Sequence, residues 1–135
     1  MKRILLIEDD YDVARSVQLG IELLNIRGLK QEVEYEGVSA LQRVKSGPAP
    51  NLLILDMHLP NVAGQEIYEL VRRDMPDCKI IITTADVRLA REIREQRGDW
   101  QRLVAPDGLF VKPFSLAQFL DAIASVLGLP APKLA

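Results

Sequence analysis

Three stretches of the chain are apolar without interruption: Ile4-Leu5-Leu6-Ile7, Leu52-Leu53-Ile54-Leu55 and Ile80-Ile81-Ile82. Runs this short and uniform read as strands buried on both faces. Two weaker strand signals accompany them. Glu32-Val33-Glu34-Tyr35 alternates, as a more exposed strand does, and Leu109-Phe110-Val111 is a short run near the end. Between these segments the apolar residues recur at helical spacing. Asp9 and Asp10 offer N-cap side chains ahead of Val13, Val17, Ile21 and Leu24, and Gly28 closes that segment. Val38, Leu41 and Val44 mark a second helix, ended by Ser46-Gly47-Pro48. After a turn over Pro60 to Gly64, the residues Ile67, Leu70 and Val71 lie on a helix that must stop before Pro76. Val87, Ala90 and Ile93 give a charged fourth helix a narrow apolar stripe, and residues 98–106 read as a loop. Leu116, Phe119, Leu120, Ile123 and Leu127 form the strongest helical stripe of the chain. Five strands alternating with five helices predict an α/β fold, a doubly wound parallel sheet with helices on both faces.

Length and composition narrow the reading. The 135 residues suit one domain with a sizeable core. Seventeen basic side chains against nineteen acidic ones argue against a general nucleic-acid coat and a polybasic membrane anchor. The lone cysteine, Cys78, has no internal partner for a disulfide, so a reducing cytoplasm is the expected location. Cys78 precedes an apolar strand and is expected to be inert, and Met57 and Met75 are expected to pack. No apolar run is long enough for a membrane span, and Ile4–Ile7 is too short for a signal peptide.

In a doubly wound sheet, ligands sit outside the carboxyl ends of the strands. Here those ends carry Glu8-Asp9-Asp10, Asp56, Thr83-Thr84 and Lys112. Helix capping accounts for Asp and Thr at such positions, but not for Lys112. Clustered carboxylates repel, and a proton or a cation must relieve them. An oxygen-only ligand set without His or Cys fits a hard ion, Mg²⁺ or Mn²⁺. An aspartate beside such an ion can act as a nucleophile toward phosphorus. The ion, the Lys112 ammonium and a threonine hydroxyl suit the spread negative charge of a phosphoryl group.

Four segments together carry a resemblance: Ile4 to Asp10, Leu53 to Pro60 with Gly64, Thr84-Ala85, and Lys112-Pro113-Phe114. In order and spacing they resemble the receiver (CheY-like) domains of two-component response regulators, over almost the whole chain. The resemblance implies a flavodoxin-like, five-stranded parallel sheet of order 2-1-3-4-5 with five helices. It implies a receiver domain over 1–129; residues 130–135, opening on Pro130-Ala131-Pro132, read as a frayed tail or the start of a linker. By the same resemblance Asp56 is the phospho-acceptor. Glu8 and Asp9 match the acidic pair that holds Mg²⁺, with Asp9 the one expected to touch the ion, and the His58 backbone carbonyl completes the ligands. Thr84 matches the switch hydroxyl and Lys112 the lysine that meets the phosphoryl group. The donor would be a phosphohistidine on a sensor histidine kinase or a phosphotransfer protein, and the reset a slow self-dephosphorylation. An output protein or domain would bind the face made by the fourth helix, last strand and last helix, and a homodimer is compatible with it. No direct nucleic-acid or membrane contact is expected.

Some positions leave a choice. Thr83 competes with Thr84 as the switch residue, but Ala85 fits the family's hydroxyl-then-small pattern with Thr84, and Thr83 alternates to the other face. Asp10 reads as a helix cap. The His58 side chain is expected at the pocket rim rather than on the metal, and it could tune the attack of water, as could Asp86. Lys112 lies 28 positions after Thr84, wider than the family's usual gap. The excess falls in residues 97–106 and lengthens the fourth helix or the loop after it. Trp100 there is either an anchor for a partner or packing for its own loop. Leu109 stands where the family carries its switch aromatic, with Phe110 next. Arg88, Arg91, Arg94 and Arg97 form either a solvated face with helical ion pairs or a docking face for an acidic partner.

Two other functions compete with the phosphorylation switch. A haloacid-dehalogenase-type phosphatase would need a second Asp two residues after the nucleophile, where this chain has His58. A phosphorylation-independent interaction module would not need Asp56, Thr84 and Lys112 together.

Overall fold

The computed structural model describes residues 2–130. The part of the expected tail beyond Pro130 lies outside them. The chain runs β1 (Lys2–Ile7), α1 (Tyr11–Leu23), β2 (Leu29–Glu34), α2 (Gly37–Ser46), β3 (Leu52–Asp56), α3 (Gly64–Asp74), β4 (Lys79–Thr84), α4 (Val87–Arg94), β5 (Gly108–Val111) and α5 (Leu116–Val126). The five strands form one sheet of order β2-β1-β3-β4-β5, and every neighbouring pair is parallel. This is the doubly wound order that the resemblance implies.

Strand alternation splits the core into two layers. Leu5, Ile7, Leu53, Leu55, Ile80 and Ile82 face α2, α3 and α4. Ile4, Leu6, Leu52, Ile54 and Ile81 face α1 and α5. The apolar runs are uniform because both faces of β1, β3 and β4 are covered.

Several boundaries move for local reasons. α1 stops at Leu23, because Asn25 turns into the left-handed region at φ 50, ahead of Gly28 at φ 70. The edge strand β2 begins at Leu29, since it pairs with the whole of β1 from Lys2↔Leu29 to Ile7↔Glu34. Val38 and Val87, expected on apolar stripes, are 50% and 62% exposed, so α2 buries Ala40 and Val44, and α4 buries Ala90 and Ile93.

The segment 97–106 is not an extension of the fourth helix. α4 ends at Arg94, and a 3-10 turn over Gly98–Arg102 follows. Trp100 is 2% exposed. Its ring lies 4.9 Å from that of Tyr68 on α3, at 57°. The partner-anchor reading of Trp100 is therefore corrected: the indole is a core side chain that holds its own loop. Arg72 donates to the Ala105 carbonyl at 3.0 Å, and the Tyr68 hydroxyl donates to the Val104 carbonyl, so α3 grips the loop at three points.

Candidate functional site

Strand register brings the polar strand ends together. Ile7 pairs with Leu55, Asp56 with Thr83 and Thr84 with Val111. Glu8, Asp56, Thr84 and Lys112 therefore emerge side by side along one edge. Glu8 and Asp56 are each 2% exposed, while Asp9 is open to solvent. One carboxylate oxygen from each of Glu8, Asp9 and Asp56 lies within 4.8 Å of the other two.

Lys112 reaches into this cluster. Its Nζ donates to Glu8 Oε1 at 2.6 Å and to Asp56 Oδ2 at 3.3 Å. The other Asp56 oxygen, Oδ1, accepts the His58 backbone N–H at 3.0 Å. Glu8 Oε2 accepts the Asp10 N–H at 3.2 Å. Burial, aided by the neighbouring Asp56, pushes the Glu8 carboxyl up to about 7 against the pull of Lys112. Burial works against the Lys112 charge, but Glu8 and Asp56 outweigh it and raise its pKa. One ammonium stands beside three carboxyl groups and is bonded to two of them, Glu8 and Asp56, so the cluster still favours a further cation. Its ligand atoms are all oxygens, as a hard divalent ion requires.

Thr84 is fully buried, and its hydroxyl belongs to a second group of contacts. His58 Nε2 lies 2.8 Å from Thr84 Oγ1, and the Asp86 N–H donates to the same oxygen at 3.0 Å. Among the described residues, Thr84 Oγ1 has no hydrogen bond to Asp56 or Lys112. Strand parity explains the separation. Asp56 alternates with Ile54 on the α1/α5 face, whereas Thr84 alternates with Ile82 on the α3/α4 face. Thr83, the competing hydroxyl, shares the parity of Ile81.

The remaining expected residues fall into place around these two groups. Asp10 caps α1, accepting from the N–H groups of Asp12 at 2.9 Å and Val13 at 3.2 Å. Asp86, expected at the rim, caps α4 and accepts from Arg88 and Leu89. Among the described residues the carboxylate cluster consists of Glu8, Asp9 and Asp56, and the His58 imidazole meets Thr84 instead. Leu109 packs in the α3/α4 layer. Phe110 instead stacks edge-on against Phe114 and Phe119 in the α1/α5 layer, at 5.6 and 5.0 Å. Of the four arginines, Arg97 lies past the end of α4 and pairs with Glu95 at 3.1 Å. The imidazole–hydroxyl contact of His58 with Thr84 had no sequence signal, because it joins the loop after β3 to the end of β4, twenty-six positions further along the chain. A cleft lined by Asp12, Val13, Ser16, Ala85, Pro113 and Phe114 opens onto Lys112.

An acidic cluster and a lysine at the strand ends of a 2-1-3-4-5 sheet define the CheY-like class of flavodoxin folds. The family model for the response regulator receiver domain matches residues 4–124, and the chain belongs to that family. It is a receiver domain. It is 30% identical over 127 residues to the response regulator ArlR of Staphylococcus saprophyticus, covering 94% of this chain and 53% of that protein. The chain thus spans about half the length of the curated relatives it matches. Its fold overlays on a CheY-like receiver domain protein from Methanospirillum hungatei with a TM-score of 0.76. That pair is 23% identical and covers 95% of this chain and 94% of the other. The response regulator TrrA of Thermotoga maritima, solved in complex with Mg²⁺-BeF, overlays at 0.68 with 28% identity, covering 93% and 99%. No helix among the described residues is long and apolar enough to cross a membrane.

Proposed function

We propose that Asp56 accepts a phosphoryl group from a phosphohistidine and that the acyl phosphate biases two conformations of the domain. The observation that carries this reading is the buried Asp56 carboxylate, held on one oxygen by Lys112 and within ligand distance of Glu8 and Asp9. In the transfer, an Asp56 oxygen forms the new O–P bond as the P–N bond to the donor imidazole breaks. The imidazole leaves with the electron pair and takes up a proton. Lys112 shields the incoming charge. The His58 N–H on Oδ1 fixes the carboxylate plane. Asp9, Asp56 and Glu8, with the His58 carbonyl, would hold Mg²⁺, or Mn²⁺ in its place. Such an ion supplies charge neutralisation for the transferred group. The cleft beside Lys112 gives the donor a path. Thr84 then turns toward the phosphoryl oxygens. Slow attack of water on the acyl phosphate, breaking its O–P bond and releasing inorganic phosphate, resets the switch.

In this reading residues 1–129 are the receiver unit, acting in the cytoplasm with a sensor histidine kinase or phosphotransfer protein. The α4–β5–α5 face would meet an output protein or domain, or a second copy. Intact-mass spectrometry after incubation with acetyl phosphate tests the central step. The expected result is a Mg²⁺-dependent, base-labile gain of one phosphoryl group that Asp56→Asn abolishes. A folded, Mg²⁺-binding protein that gains nothing from acetyl phosphate or from a phosphohistidine donor would overturn it.

A further inference from the structure

The Thr84 hydroxyl has one proton and two neighbours. Oγ1 already accepts the Asp86 N–H at 3.0 Å. His58 Nε2, at 2.8 Å, is the acceptor placed to take the hydroxyl proton when the imidazole carries its own proton on Nδ1. A phosphoryl oxygen on Asp56 needs that same proton. The two uses exclude each other, since one O–H donates one strong hydrogen bond.

We propose that His58 is a positioning residue that competes with the phosphoryl group for the Thr84 hydroxyl and so sets the switching equilibrium. The proposal rests on the reading of Asp56 and Thr84 given above. Three features support it. Thr84 is fully buried, so its hydroxyl has no water to replace a lost partner. His58 itself is exposed, so its imidazole can swing out without opening the core. The His58 backbone N–H is bound to Asp56 Oδ1, so one residue touches both the acceptor carboxylate and the switch hydroxyl. Its backbone holds Asp56 in either arrangement, while its ring is present on Thr84 in only one. A contact made in one of two states shifts their ratio by its own net worth.

Beryllofluoride with excess Mg²⁺ is the probe, and its half-saturating concentration is read from backbone amide peaks by NMR. The chain is compared with His58→Leu, His58→Ala, His58→Gln, Thr84→Val and the double variant His58→Leu/Thr84→Val. Loss of one competing hydrogen bond predicts that His58→Leu and His58→Ala bind beryllofluoride about three- to tenfold more tightly. His58→Gln, whose amide reaches as far as Nε2, stays close to the original chain. In the Thr84→Val background, His58→Leu changes nothing, because the proton in dispute is gone. An unchanged half-saturation in both the Leu and Ala variants would sink the proposal. So would an equal gain with and without the Thr84→Val substitution, which would mean that His58 acts by bulk or charge. If the original chain itself fails to bind beryllofluoride, the phospho-acceptor reading falls first. Binding without a His58 effect removes this proposal alone.

Discussion

Glu32 carries two arginines on one carboxylate. Arg43 Nε lies 2.7 Å from Oε2 and Arg3 Nη1 2.5 Å from Oε1, tying α2 to β1 through the edge strand. All three side chains are less than a quarter exposed. The Arg43 hydrogen bond, joined by Arg3, holds the Glu32 carboxyl down from 4.5 to about 2. An acid held below its ordinary value favours the fold only while ionised. Its contribution is complete above pH 4.5 and fades as pH falls toward 2. Among the described residues Arg43 Nη1 has no partner and is buried, which offsets part of the gain. After screening, Glu32→Gln should cost about 1–2 kcal/mol at neutral pH. Urea unfolding as a function of pH checks this: the gap between the two proteins should close as the solution is acidified. Cys78 shows the opposite effect. Burial pushes its thiol up to about 12, as befits the inert packing residue that its place before β4 predicts.

At the scale of elements, the loop between β3 and α3 depends on Gly64. A Cβ on Gly64 would lie 2.7 Å from the Cα of Met57, so only glycine lets the first turn of α3 lie against the backbone next to Asp56. Gly64→Ala should destabilise the chain by about 1–3 kcal/mol through this overlap. It should also weaken Mg²⁺ binding by displacing Met57 and His58, measurable by calorimetry and thermal unfolding. The sequence made Gly64 visible as part of a motif, not the clash that requires it. That pattern recurs. β1, β3 and β4 were legible because burial on both faces leaves an unbroken apolar run. The start of β2 was not, because Leu29-Lys30-Gln31 takes its structure from pairing with β1 rather than from its own composition. The carboxylates and Lys112 were legible because each stands at the end of a strand or within two residues of it. The Thr84–His58 contact was not, because it depends on how the loop after β3 folds over the end of β4. The burial of Trp100 depends likewise on Tyr68, thirty-two residues away.

For the whole molecule, the segment after α4 is fastened to α3. Trp100 packs on Tyr68, Arg72 reaches the Ala105 carbonyl and Asp107, and Arg102 meets Glu69 at 3.0 Å. Asp107 in turn accepts the Ile80 N–H at 2.8 Å, so the fastening reaches the central sheet. Trp100→Ala should cost about 3–5 kcal/mol, the loss expected for a fully buried aromatic side chain. Guanidinium unfolding followed by circular dichroism measures it; a loss below about 1 kcal/mol would mean that the loop packs independently of the indole.

That fastening changes what a movement at Thr84 does to α4. The helix hangs at one end from Asp86, whose N–H rests on the Thr84 hydroxyl and whose carboxylate caps the first turn. At the other end it runs into a segment clamped to α3. A rod tethered at its tail and nudged at its head pivots, with its largest excursion at the head. In the proposed switch the surface expected to change most is therefore the Val87–Arg88 end, where both side chains are exposed. A recognising partner would read the angle of α4 there, and the clamped tail would serve as its fixed reference point.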